Sequence, residues 1–118
     1  MKLRRYGFFK ELKHGDINGD SLIEQQSDKV FNFKEKCVKY LNSGHSLIVS
    51  PGLVKDVLNP ENGIISSPSI LTDGIWAWPE DLSYYVETYN VRPGTDFIES
   101  MKMNLWTVPD IRIDQLEF

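Results

Sequence analysis

The stretch "TDGIWAWPEDLSYYVETY", residues 72–89, constrains the fold of this 118-residue chain more than any other segment. Apolar runs lie on both sides of Asp73-Gly74. An Asp-Gly pair in that setting is a strong β-hairpin signal, because both turn positions need φ > 0. Trp76 and Trp78 are two residues apart, so they project from the same face of the second strand. We expect that face to point inward and the two tryptophans to lie in the core.

A helix is predicted directly after the hairpin. Pro79 cannot continue a strand ladder but suits the first turn of a helix, where its missing N–H is not needed. The next two residues are acidic, and their charge is favourable at the positive end of a helix. Apolar and aromatic side chains then recur at i, i+3, i+4 and i+7, which is one helix face: Leu82, Tyr85, Val86 and Tyr89.

The remaining segments predict two more helices and several short strands. One helix covers residues 27–44, with Ser27 as its N-cap and Gly44 just past its end. Another is capped by Thr95, with Asp96 in its first turn and apolar residues available for burial as far as Leu105. Strands are expected at residues 6–12, 45–50 and 111–116, while residues 53–63 fit either a helical turn or a loop.

Together these elements predict one α+β domain spanning residues 1–118. Their order favours a small, mainly antiparallel sheet with about three helices packed on it. The length and the 41% hydrophobic content suit one globular core. No apolar run approaches the roughly 20 residues that a membrane helix needs, and the start of the chain lacks the pattern of a secretory signal. With Cys37 as its single cysteine, the chain is expected to be cytoplasmic.

Charge is unevenly distributed along the chain. Residues 1–50 carry nine Lys/Arg and six Asp/Glu, whereas residues 51–118 carry four and eleven. The two halves could neutralise each other in the fold, or the second half could build an acidic surface suited to a basic protein partner. A nucleic-acid interface is disfavoured for that half, because phosphate contacts need lysine and arginine.

Patterns that would carry catalysis or bind metal do not occur in the sequence. Residues 16–27 lack the glycine and the final glutamate that an EF-hand calcium loop needs at its sixth and twelfth positions. Cys37 lies on the apolar stripe of its predicted helix, where an inert buried thiol is expected. The paired acids Glu80 and Asp81 are explained by a helix start. We therefore expect a non-enzyme with no cofactor and no metal.

Most of the chain, residues 6–103, resembles a family of small bacterial immunity proteins encoded beside polymorphic or contact-dependent growth-inhibition toxins. The matching segments are "YGFFKELKHGDINGDSL", "YLNSGHSLIVSPGLVKDVL", "SILTDGIWAWPEDLSYYVETYNV" and "FIESM". The block DGxWxWPxDLxYYVxxY is the most specific of them. The chain departs from the pattern after "YNV", where "RPGTDF" replaces a Leu-Pro-like continuation.

This resemblance implies a protein that neutralises a cognate toxin by binding it. Many such toxins are nucleases with basic clefts, which an acidic surface would attract. The residues left on the outward side of the hairpin and helix are the predicted contacts, with Tyr84 as an aromatic anchor among carboxylates: Asp73, Glu80, Asp81, Tyr84 and Glu87.

Two other functions stay open from the sequence. One is a different interaction or regulatory module, including a homodimer that uses the aromatic hairpin as its partner face. The other is a small enzyme with an unrecognised site, which would need a concave pocket where polar groups converge.

Overall fold

The computed structural model describes residues 2–118 and has the expected α+β fold. Its strands are β1 (Arg4–Arg5), β2 (His45–Ile48), β3 (Val54–Lys55), β4 (Ile64–Ser66), β5 (Ile70–Thr72) and β6 (Trp76–Pro79). Its helices are α1 (Leu22–Gln25), α2 (Lys34–Asn42), α3 (Leu82–Tyr89) and α4 (Thr95–Met103). Single 3₁₀ turns occur at Pro60–Asn62 and Ile113–Gln115.

The main sheet has the strand order β1-β6-β5-β2, and β3 pairs with β4 in a separate two-stranded sheet. The β6–β5, β5–β2 and β3–β4 pairs are antiparallel, and only β1–β6 is parallel. A mainly antiparallel sheet with helices packed on it is therefore confirmed. The longest helices have nine residues, so none in the described chain, residues 2–118, is long and apolar enough to cross a bilayer.

The hairpin is confirmed, but its turn lies one residue further along than predicted. Asp73 N donates to Trp76 O at 3.2 Å, so Gly74 and Ile75 form the two-residue loop. Gly74 adopts a φ of 97°, which glycine reaches without strain. Asp73 precedes the turn, and its Oδ1 accepts hydrogen bonds from Ile75 N at 2.9 Å and Trp76 N at 2.7 Å. These bonds draw the carboxylate inward.

The tryptophans of β6 lie in the core, as predicted. The ring of Trp76 stacks on Phe97 of α4 at a centroid distance of 4.6 Å. Trp78 is fully buried, and its Nε1 donates to Leu41 O of α2 at 3.2 Å. Ala77 between them is also buried, so β6 is covered on both faces.

Several predicted boundaries are wrong. The second helix begins at Lys34 instead of near Ser27, and Phe33 precedes it with a left-handed φ of 68°. Pro79 is the last residue of β6 rather than the first of α3, because it pairs at the strand end opposite Ile70. The strand expected at residues 6–12 is instead the short β1.

The C-terminal strand is replaced by the turn Ile113–Gln115. Its pairing is reduced to a single parallel bridge between Lys2 and Glu117. Segment 53–63, left open between helix and loop, contains β3 and a 3₁₀ turn.

Gly44 follows the end of α2 as expected, but it is needed there for a different reason. Its φ is not positive. A Cβ at this position would lie 2.6 Å from the ring of Trp78 and 2.9 Å from Leu71 Cβ. Gly44 therefore allows close approach of the backbone to the core tryptophan.

We predict that Gly44→Ala lowers the free energy of unfolding by about 1–3 kcal/mol, because a buried methyl group must displace Trp78. Urea unfolding measures the change. Gly94→Ala is the control for an added methyl group without a clash, since its Cβ would meet the Tyr6 ring at an ordinary 3.5 Å; as the N-cap of α4 it should lose no more than roughly 0.5–1 kcal/mol. Equal losses in the two variants would show that contact with Trp78 is not the cause.

Candidate functional site

The five predicted contact residues do not form one outward surface. Asp73 and Asp81 are each 1% exposed, so the expectation that they face outward is wrong. Glu80 and Tyr84 are half-buried, and only Glu87 is exposed. The physical reason is that most of these polar groups contact partners inside the protein, some of them near in sequence and others distant.

Asp73 joins the hairpin to α2. Besides the two backbone N–H groups of the turn, it accepts a hydrogen bond of 2.6 Å from Tyr40 Oη. Tyr40 Oη in turn accepts one of 2.9 Å from Asn104 Nδ2 at the end of α4. The carboxylate therefore ties three elements together and is not free to pair with an external lysine or arginine.

Asp81 immediately precedes α3, and its partner is His14. His14 Nε2 lies 3.0 Å from Asp81 Oδ2, and the carboxylate side chain has no exposed surface. A buried carboxylate is unfavourable unless a cation or a donor compensates it. His14, in the loop after β1, compensates the carboxylate only when its ring is protonated, and among residues 2–118 neither its Nε2 nor the Asp81 oxygens form a hydrogen bond. The contact brings this loop against the start of α3.

Glu80 and Glu87 lie further outward. Glu80 accepts bonds of 3.3 Å from Ser67 Oγ and 3.5 Å from Ser67 N, which fix the loop before β5. Glu87 lines a groove between α2 and α3 together with Lys34 and Lys39. The one exposed acid of the predicted set therefore shares its groove with two lysines of the chain itself.

Tyr84 belongs to a cluster around Asp56, a residue with no exposed surface. Asp56 Oδ2 accepts hydrogen bonds from Tyr84 Oη at 2.8 Å, Tyr89 Oη at 2.5 Å and Asn62 Nδ2 at 3.0 Å. Asp56 Oδ1 accepts from the backbone of residues 58 and 59. This Asp56 cluster fastens residues 56–62 onto α3, and the hydroxyl of Tyr84 is one of the groups that hold this segment in place.

Ionisation in the Asp56 cluster follows from these bonds. Burial by itself raises the pKa of Asp56, but the hydrogen bonds from Tyr89, Asn62 and Tyr84 outweigh burial and leave its pKa below the ordinary value. Burial and the bond to Asp56 raise the pKa of Tyr89 to about 12. The cluster therefore holds a carboxylate and neutral phenols at neutral pH.

Six of the eleven acids in residues 51–118 are buried or form surface ion pairs. Three of them are buried: Asp56, Asp73 and Asp81. Three others pair with cations on the surface, as Arg4–Asp96 at 3.2 Å, Lys102–Glu99 at 3.4 Å and Arg112–Asp114 at 3.5 Å. Since the Arg4–Asp96 pair joins the two halves, this arrangement supports the interpretation in which they neutralise each other.

A different surface combines exposed aromatic and cationic groups. Phe33, just before α2, stacks on Trp106, just after α4, with ring centroids 5.3 Å apart. Lys36 Nζ lies 5.7 Å from the Phe33 centroid and 5.8 Å from that of Trp106, while Lys102 Nζ lies 4.8 Å from Phe33. With Leu105 these residues form what we call the lysine–aromatic platform: Phe33, Lys36, Lys102, Leu105 and Trp106.

The end of α4 gives the platform its shape. Trp106 N donates to Met101 O at 3.0 Å and Leu105 N to Lys102 O at 2.9 Å. These two bonds define a Schellman motif, whose left-handed position is usually glycine. Here Leu105 occupies it with a φ of 54°, and Trp106 follows with a φ of 58°. Leu105 is nevertheless 82% exposed, so burial of its side chain does not explain its presence.

Backbone strain is concentrated at the platform. Among residues 2–118, the non-glycine residues with positive φ are Phe33, Asn90, Leu105 and Trp106. Asparagine tolerates this conformation, whereas each of the others costs about 1–2 kcal/mol. The three strained residues meet in one patch. Strain of this kind often accompanies functional sites.

Sequence patterns gave no signal for the platform. Leu105 fits the apolar stripe of α4 and was expected to be buried, because nothing marks it as the residue after the helix end. Bulky residues are also poor candidates for left-handed positions. The contact between Phe33 and Trp106 spans most of the chain.

We predict that Asp56→Asn lowers the free energy of unfolding at pH 7 by about 2–3 kcal/mol, because an amide leaves several buried donors without a charged acceptor. Urea unfolding at several pH values measures the effect. The pKa of Asp56 is lowered in the fold, so its stabilisation is complete above the unfolded value of about 3.9 and disappears as pH falls through the folded value. The difference in the free energy of unfolding between the wild type and the variant should therefore decrease from pH 7 towards pH 2.

Asp96→Asn is the control for this prediction, since Asp96 forms an exposed pair with Arg4 and should change stability by less than about 0.5 kcal/mol. A gap between wild type and Asp56→Asn that stays constant down to pH 2 would contradict the assignment of Asp56 as a buried carboxylate.

We also predict that Leu105→Gly raises the free energy of unfolding by up to about 1 kcal/mol. Glycine relieves the left-handed strain, and this gain exceeds its larger loss of backbone entropy. Met103→Gly is the matched control, because Met103 is 84% exposed but lies within α4. That change should cost about 0.5–1 kcal/mol. Thermal or urea unfolding that shows Leu105→Gly to be the less stable of the two would refute the strain assignment.

Comparison with known proteins adds no relative: no protein-family model matches the chain, and no curated protein or solved structure shows significant similarity to it. The resemblance of its sequence pattern to immunity proteins accordingly remains a hypothesis.

Proposed function

We propose that this chain is a non-catalytic binding protein that neutralises a cognate bacterial toxin in the cytoplasm. The observation that carries the proposal is the lysine–aromatic platform, where Phe33 and Leu105 keep exposed side chains although their backbone is strained. Internal stability alone would favour glycine at Leu105. A partner that contacts the leucine supplies a reason for keeping it.

The chemistry of the platform suits a protein interface. Tryptophan, phenylalanine and methionine are enriched where proteins bind each other, and buried aromatic anchors dominate the energy. Trp106 packs partly on the core, which holds its ring in place before binding. Phe33 is 44% exposed, so part of its ring is available for contact. A preformed surface of this kind lowers the entropy cost of association.

The proposal moves the binding surface away from the predicted acidic residues. Asp73 and Asp81 serve the interior, and Tyr84 is bonded to Asp56. Glu87 remains exposed and is retained as a peripheral contact. A basic toxin was expected from the acidic second half, and this expectation loses part of its support because six of the eleven acids there are buried or paired.

Another interaction module, such as a homodimer, is the alternative function. The aromatic hairpin does not offer its tryptophans for this purpose, since both are buried. The edge strand β2 favours the alternative more, because Ile48 and the following Val49 are exposed beside an unpaired strand edge. Light scattering on the purified chain separates a dimer from a monomer.

We expect the chain to bind the C-terminal domain of the protein encoded directly upstream. A complex with a dissociation constant of about 10 nM or tighter is anticipated for a neutralising inhibitor. Co-expression should restore growth of bacteria that produce this domain. Calorimetry and colony counts measure the two effects, and an unrelated toxin domain serves as the control.

Absence of both binding and growth protection would overturn toxin neutralisation. A stable dimer in light scattering, combined with that absence, would favour the alternative module.

A further inference from the structure

We infer that the lysine–aromatic platform recognises an acidic segment of its protein partner, with carboxylates placed at Lys36 and Lys102 around an apolar side chain on Leu105 and Trp106. This inference rests on the proposed function and names the partner chemistry of the same site. The sequence suggests a basic partner, whereas this inference names an acidic one.

The charges at the platform are available to a partner. Among residues 2–118, no carboxylate lies within ion-pair distance of Lys36. Lys102 pairs only with Glu99, its neighbour on the same exposed helix face, at 3.4 Å. Such exposed pairs contribute little and are easily exchanged. Two ammonium groups therefore flank the aromatic pair without strong internal partners.

The helix that carries Lys36 has more cations than acids. α2 holds Lys34, Lys36 and Lys39 against Glu35. Lys34 and Lys39 line a groove with Glu87 that contains no platform residue. Lys36 and Lys102 are therefore the cations that would attract an acidic segment at the platform itself.

The apolar part of the platform selects a protein over a nucleic acid. Base stacking on single strands needs open ring faces along a basic groove. Here the rings of Phe33 and Trp106 stack on each other, and lysine ammonium groups lie above them. Leu105 and Met103 project as exposed aliphatic side chains, which suit a leucine-type anchor in the partner.

The first experiment uses a labelled peptide as the probe. A fluorescein-labelled octapeptide carries two leucines with a pair of glutamates on each side. A second peptide has lysines in place of the glutamates and is otherwise identical. Fluorescence anisotropy with the full chain should show binding of the acidic peptide at least about 10-fold tighter at low salt. Roughly 0.5 M NaCl should remove most of this difference.

Substitutions test whether Lys36 and Lys102 are responsible for binding the acidic peptide. The double variant K36E/K102E should lose at least about 10-fold in affinity for the acidic peptide. K10E/K55E is the matched control, because it changes net charge equally on two exposed lysines of other segments and should shift affinity less than about 2-fold. Leu105→Gly should weaken binding about 3- to 10-fold while the melting temperature stays the same or rises. If circular dichroism shows K36E/K102E unfolded, K36Q/K102Q replaces it.

Binding measurements with the upstream toxin domain test this inference and the proposed function separately. If that domain binds and K36E/K102E keeps wild-type affinity for it, the platform assignment is overturned while toxin neutralisation stands. If that domain does not bind but the peptide results hold, toxin neutralisation fails while acidic recognition stands. Equal affinity for the acidic and basic peptides overturns the inference. Tighter binding of a single-stranded oligonucleotide than of the acidic peptide does so as well.

Discussion

Burial of Trp78 is the interaction on which the rest of the structure depends. Its indole Nε1 bonds to Leu41 O of α2, its ring lies 5.4 Å from Phe97 of α4, and Gly44 leaves room for it after α2. Because the strand that carries Trp78 is central in the sheet, these contacts place both helices relative to β5 and β1. An aromatic core of this kind combines a large buried area with few accessible geometries.

Buried carboxylates provide the second layer of organisation. Asp56, Asp73 and Asp81 each hold a loop against a helix, with tyrosine, backbone or histidine groups as partners. Charged groups in a protein interior must be matched by donors, and the matching makes the local geometry specific. Through Asn104 and Tyr40, the Asp73 bonds also reach the end of α4 and so support the platform on rigid elements.

Much of the fold could be predicted from local patterns. The hairpin, α3 and the inward face of Trp76 and Trp78 follow from the spacing of neighbouring residues, which can be read from the sequence alone. The direction in which polar residues point could not be predicted in the same way. Besides the turn backbone, Asp73 bonds to Tyr40, and Asp81 lies against His14; both of these partners are more than 30 positions away. The platform lay beyond sequence patterns for the same reason, since Phe33 and Trp106 meet only in the folded chain.

The hydrogen bonds at the hairpin have a consequence for the chemical ageing of the protein. In flexible chains, Asp-Gly bonds rearrange to isoaspartate when the glycine nitrogen attacks the aspartate side chain, because glycine offers little steric hindrance. Here Gly74 N donates to Thr72 Oγ1 at 3.0 Å, while the Asp73 carboxylate is held by Tyr40 and the turn backbone. Attack would require these bonds to break together. The same contacts that shape the hairpin therefore protect its most labile peptide bond for as long as the chain stays folded.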